Sequence, residues 1–274
     1  KDTNLSYEIE DIKNNKNIYL IINDQATSLE LFEKYYNVSI KEKLLKEFKK
    51  HNYEYVSNSR SSYNQTELTF TSMLYLDYFL TEKSKKYKNT MNFYPQNLRM
   101  AYNQMPLIKL LNSIGYKFYF IGNTRGNCET FVKRNCLVRK NNFKNMLVEH
   151  KNILEVLLLR APYIPIYAKI SEKIRRSLKI PLYSNDFNEN DAIKKFIQNI
   201  DITNYPKKSF FLIHNLYPHT PYVYNKDCSQ KNTNKAIIST LNTNKVDASK
   251  GYYENYLCSI KKIINFIKFL EKND

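Results

Sequence analysis

The segment SFFLIHNLYPHTPYVY, residues 209–224, constrains the fold of this chain more than any other. Ser209 to Ile213 is a short run of β-forming apolar residues, the pattern of a buried strand. His214 stands at its end, and a loop stiffened by Pro218 and Pro221 follows. Prolines at these places forbid a helix through the loop. Two of the four histidines, His214 and His219, lie here. A strand tip that hands two imidazoles to a rigid loop is where an α/β protein places a ligand site. The plainer alternative is a satisfied strand-end His214 and a surface His219.

Such a strand needs a core around it. The chain has 274 residues, of which 42% are hydrophobic and 14% aromatic, enough for one large domain or two small ones. Disorder is therefore not the expected state. The net charge of +17 suits an anionic partner such as nucleic acid, phosphate esters or lipid headgroups. The lysines are spread along the chain with no block of like charge, as a biased codon pool would leave them. Nucleic acid is accordingly not expected as a partner. None of the four cysteines forms a C-x-x-C pair, so neither a zinc ribbon nor a thioredoxin motif is supported. Cys128 and Cys136 are close enough in sequence to bridge in an oxidising compartment. No apolar run approaches the roughly 18–20 residues of a membrane span. There is no signal-peptide pattern, and the chain starts with Lys1 rather than Met, so a trimmed upstream segment is expected.

Residues 1–16 are polar and form a lead-in; residues 17–274 form the α/β domain. Strands are predicted at 17–23, 53–57, 116–121 and 209–213. Helices are predicted at 40–51, 66–80, 106–114, 143–159, 189–200 and over the C-terminal 20 or so residues. The last of these carries Tyr253, Tyr256, Leu257, Ile260, Ile264, Ile267 and Leu270 on one stripe. Gly115 supplies a C-cap after 106–114. Residues 160–188 fit no single pattern, and 228–250 are a polar loop. Four glycines in all cannot build a glycine-rich phosphate loop.

Strands alternating with helices predict a mostly parallel sheet with helices on both faces. Ligands bind such sheets at the carboxyl ends of the strands. At those ends stand Asp24, Thr66, Asn123, Thr124, His214 and His219. A carboxylate, a hydroxyl and two imidazoles are the parts needed for metal-assisted transfer of a phosphoryl-type group. A threonine hydroxyl is a weak nucleophile until a divalent cation lowers its pKa. Asp24 offers a ligand for that cation, and a helix starting near Thr66 favours an anionic substrate. His214 and His219 can donate to substrate oxyanions or protonate a leaving group. Against this, Asp24 can cap a turn and Thr66 a helix, and Thr69, Thr71 and Ser72 are competing hydroxyls.

Three stretches resemble the alkaline phosphatase/sulfatase superfamily, in its phosphoethanolamine and phosphoglycerol transferase branch. NIYLIIND is similar to the first strand, whose final acidic residue binds metal, here Asp24. SYNQTELTFTSML resembles the T-x-x-S segment with its metal-bound nucleophile, here Thr66, with Thr69 in the Ser place. HNLYPHTPY resembles the H-x-x-x-x-H-x-P-x-Y segment, whose histidines contact substrate phosphate, here His214 and His219. The final helix, with Tyr253 and Cys258, is similar to the helix preceding the D-H-G metal motif. The resemblance covers roughly residues 17–272. It implies an alkaline-phosphatase-like fold and a metal-dependent transferase or hydrolase of phosphate or sulfate esters. Asp24 and Thr66 are its implied metal ligands, the metal being Zn, Mn, Mg or Ca, and Thr66 forms a covalent intermediate. The implied substrate is a phosphate ester or lipid headgroup. The implied location is the cell envelope, with membrane association through a segment outside this chain. Two departures stand out: there is no C-x-P-x-R or S-x-P-x-R, which disfavours modified-cysteine sulfatase chemistry, and no Asp-His-Gly occurs. The expectation is a domain cut before that motif; the alternative is a catalytically inactive, anion-binding relative.

Overall fold

The computed structural model describes residues 16–57, 59–64, 66–78, 105–122, 136–137, 191–231 and 244–274. Its centre is the strand at 209. Every residue of β4 (Ser209–Asn215) is buried, as an uninterrupted apolar run in a parallel sheet should be. β4 lies between β1 (Ile18–Asn23) and β2 (Lys117–Gly122), and the two-residue β3 (Cys136–Leu137) extends the sheet beyond β2. All pairings are parallel.

The two-residue side-chain period of β4 sorts the helices onto two faces. Phe210 and Leu212 face α3 (Thr66–Tyr75) and α4 (Pro106–Ser113), with Phe70, Leu74, Met105 and Ile108 completing that core. Phe211 and Ile213 face α5 (Ala192–Asn199) and α6 (Lys245–Asn273), whose Phe196 and Phe266 meet edge to face. Helices therefore cover both faces of a parallel sheet, as the alternating pattern predicts. α1 (Leu29–Tyr36) and α2 (Lys41–Lys50) pack farther out, where Phe32 stacks on Tyr256 of α6 at 4.0 Å.

Several boundaries differ from the sequence reading. The predicted strand at 53–57 is a connecting loop. Tyr55 takes it out of any ladder: its hydroxyl donates to Glu30 at 2.7 Å and its ring joins the α1–α6 core. α1 was not expected, although Ser28 caps its start and Asn37, at φ 51°, its end. β4 runs on through His214 to Asn215 instead of stopping at Ile213. α3 ends at Tyr75 because Leu76 takes a left-handed φ of 56°. The polar stretch at 244–250 opens α6, with Asn244 as its N-cap. The helix expected at 143–159, residues 160–188, Cys128, Asn123 and Thr124 lie outside the described residues. Among the described residues no helix is long and apolar enough to cross a membrane.

Candidate functional site

The carboxyl ends of β1 and β4 meet at one rim of the sheet. The Asp24 N–H donates to the Asn215 carbonyl at 2.9 Å, carrying the parallel ladder one residue past β1. The chain then turns, with Gln25 at φ 59°. Two tyrosines of α6 fix this turn. Tyr252 donates its hydroxyl to the Gln25 carbonyl at 2.9 Å and accepts from the Thr27 N–H, while Tyr256 donates to the Thr27 carbonyl at 3.0 Å.

Thr66, the first residue of α3, donates its hydroxyl to Asp24 Oδ1 at 2.9 Å. The two residues are 42 positions apart, so this contact is a product of the fold. The bond also separates the candidate hydroxyls. Thr69 turns back to the Tyr63 carbonyl at 3.0 Å, and Ser72 is buried. Of the hydroxyls whose contacts are known, Thr66 is the one on the acidic group.

His214 lies on the other side of the same carboxylate, its Nε2 3.8 Å from Asp24 Oδ2. The ring is 2% exposed and meets Phe70, one turn along α3 from Thr66, edge to face at 4.8 Å. The imidazole is thus buried beside the Asp24 carboxylate. His219 sits higher. Its N–H donates to the Asp24 carbonyl at 3.1 Å, tying the histidine loop to the turn after β1. Its Nδ1 lies 2.6 Å from the Thr220 carbonyl oxygen. The Thr220 hydroxyl stands 3.2 Å from the same nitrogen, so Nδ1 is engaged by the neighbouring residue and Nε2 is the ring nitrogen that remains for a ligand. Both prolines of the loop follow cis peptide bonds.

The loop is then clamped onto α6. Asn255 accepts from the Tyr224 N–H and donates to the Pro221 carbonyl. Lys231 pairs with Glu254 at 2.7 Å, and Cys228 and Cys258 form a disulfide. Lys262 pairs with the fully buried Asp191 and lies 3.4 Å above the Tyr224 ring.

Asp24, Thr66 and His214 are therefore brought together, with the His219 loop bonded directly above them. Asp24 and Thr66 offer adjacent oxygen donors of the kind hard divalent cations take. Among the described residues no group of three or more His, Cys, Asp or Glu could hold a metal ion. The pair thus fits part of a cation's coordination shell in donor type, while the described residues do not complete it. Asn23, Phe70, Asn215, Tyr252 and Tyr256 were missed as supports. Only Asn23 and Asn215 had a sequence signal, since each adjoins a candidate residue at a strand end; their side chains bond each other at 3.0 Å. No family model matches the chain, and neither a curated protein nor a solved structure shows significant similarity to it.

Proposed function

We propose that the chain carries the nucleophile half of a sulfatase-like phosphoester transferase or hydrolase, with an alkaline-phosphatase-like fold. The observation that carries this reading is the 2.9 Å bond from the Thr66 hydroxyl to Asp24 at the carboxyl rim of a parallel sheet. In this reading Asp24 and Thr66 would supply two of the oxygen ligands of a divalent cation. When bound, that cation lowers the pKa of the Thr66 hydroxyl. Asp24 accepts the hydrogen bond of the Thr66 hydroxyl and so aligns Oγ1 for attack. Thr66 Oγ1 gives its proton to Asp24 as it bonds to the phosphorus, the bond from phosphorus to the ester oxygen breaks, that oxygen leaves with a proton from His219 or water, and the phosphoryl-type group stays on Thr66 until an acceptor takes it. His219, fixed through its Nδ1, places Nε2 to bind a substrate oxygen or protonate the leaving group. His214, 3.8 Å from the Asp24 carboxylate, is the second imidazole of the site and contacts substrate phosphate in this reading. The Cys228–Cys258 disulfide supports an oxidising location such as the cell envelope.

The test is turnover of bis(p-nitrophenyl) phosphate with each of zinc, manganese, magnesium and calcium. Thr66→Ala is expected to lose at least about a thousandfold in rate, the range for removing a covalent nucleophile. A Thr66→Ala protein as active as the parent contradicts the reading.

The second reading is an anion-binding domain without catalysis. It is favoured by the incomplete donor set among the described residues. It predicts phosphate binding that depends on His219 and no divalent-cation dependence.

A further inference from the structure

We infer that the buried Lys262–Asp191 pair is a positioning device for His219: it fixes the two tyrosines that bracket the histidine loop and, through them, the place of the imidazole above Asp24. Tyr217 lies two residues before His219 and Tyr224 five after it. Both are buried, and their rings meet edge to face at 4.8 Å. The Lys262 Nζ stands 3.4 Å from the Tyr224 ring centroid and 4.8 Å from that of Tyr217. Asp191 completes the cluster: it pairs with Lys262 and accepts from the Tyr224 hydroxyl at 3.1 Å. The same carboxylate caps α5 through the Lys194 N–H at 3.0 Å. The loop is thus tied at once to α5 and α6, two helices on one face of the sheet.

Stability is a poor reason for such a cluster. A buried ion pair adds little net stability, and apolar side chains of similar volume often serve as well. What the charge adds is direction. An ammonium is attracted to ring faces that come within about 6 Å of it, and the carboxylate fixes its remaining side. Sliding either ring off the ammonium leaves a buried charge less well compensated. The two tyrosines therefore hold the ends of the loop in place. Between them the loop has two more fixed points. Asn255 donates to the Pro221 carbonyl at 3.2 Å, and the His219 N–H donates to the carbonyls of Asp24 and Leu216 at 3.1 and 2.9 Å. The bond to Asp24 is the last link in this series, and it joins the loop to the turn that carries the candidate carboxylate. That His219 meets a substrate oxygen rests on the function proposed above; that Lys262 sets its place does not.

The test is residue-resolved hydrogen exchange on the whole chain, which needs no ligand. Asp191→Asn/Lys262→Met removes both charges and nearly keeps the volume. The His219 amide should exchange at least about tenfold faster, while the Phe211 and Ile213 amides of β4 keep the parent rate. Tyr224→Phe drops only the hydroxyl's bond to Asp191, and it decides the matter if the double variant does not fold. It should raise the same exchange at least about threefold. A His219 amide at the parent rate in the folded variant, or one that rises only in step with the β4 amides, overturns the inference. Titration with inorganic phosphate gives a second readout. The double variant should bind at least about tenfold more weakly than the parent, and in a His219→Ala background the same change should cost nothing further. An equal loss with and without His219 overturns the inference as well. A parent chain that binds no phosphate contradicts the function proposed above and leaves hydrogen exchange to decide the positioning.

Discussion

Gly122 and His214 are register partners across β2 and β4, and a Cβ on Gly122 would stand 3.0 Å from the His214 Cβ and 3.1 Å from its carbonyl oxygen. The place of the buried imidazole therefore depends on a missing side chain in the neighbouring strand. Gly122→Ala must push His214 or the Phe120 ring, which also stands 3.0 Å away. The expected cost is about 1–3 kcal/mol, the usual range for overpacking a core. Urea unfolding with an unchanged slope measures it, and the His214 imidazole resonances should shift.

Asp191 is fully buried and accepts from the Lys194 N–H, the Tyr224 hydroxyl and Lys262. Burial pushes the Lys262 ammonium below its ordinary pKa, while Asp191 pulls the other way. Lys262→Ala leaves the carboxylate without its counter-charge and should cost about 3–5 kcal/mol. Asp191→Asn combined with Lys262→Met should recover much of that loss. Equal costs for the single and double variants would show that the charge pair is not what matters.

The Cys228–Cys258 disulfide closes a loop of sequence separation 30 between the histidine segment and α6. Chain entropy assigns such a cross-link about 3–4 kcal/mol. Cys228→Ser/Cys258→Ser should lose about that much in urea unfolding. Hydrogen exchange should rise first at residues 217–231, which the bond holds to the helix.

Burial raises the phenol pKa of Tyr217, Tyr224 and Tyr256 well above the ordinary 10, and that of Tyr252 to about 12. A raised native pKa means the folded chain holds these protons after the unfolded chain releases them. Their contribution to stability is thus complete below pH 10 and declines as pH climbs from 10 toward 12. Thermal midpoints should fall across that window, and phenolate absorbance from Tyr217, Tyr224 and Tyr256 should emerge only with unfolding.

Much of this arrangement was legible in the sequence. The runs at 17–23, 116–121 and 209–213 became three adjacent parallel strands because each is short, apolar and bounded by polar residues. Asp24 and Thr66 were legible as candidates by their places after a strand and before a helix. Their bond was not, since it joins residues 42 positions apart and exists only once β1 and α3 are packed together. The loop at 53–57 misled because its alternating Tyr53, Tyr55 and strand-forming Val56 resemble a strand, whereas Tyr55 is anchored to Glu30. α1 was missed although Ser28, Leu29, Phe32 and Asn37 carry both caps and an apolar face. The disulfide partner of Cys228 lies on a helix 30 residues on, and spacing alone does not identify it.

The central claim is that Thr66, held on Asp24, is the group that receives the phosphoester. Acid-quenching the protein with a divalent cation and bis(p-nitrophenyl) phosphate, then mapping peptides by mass, tests it most directly. A nitrophenyl-phosphoryl adduct on Thr66, with nitrophenol released and no adduct in Thr66→Ala, is the predicted result. An adduct on Thr69 or Ser72, or turnover with Thr66 unmodified at every time point, contradicts it.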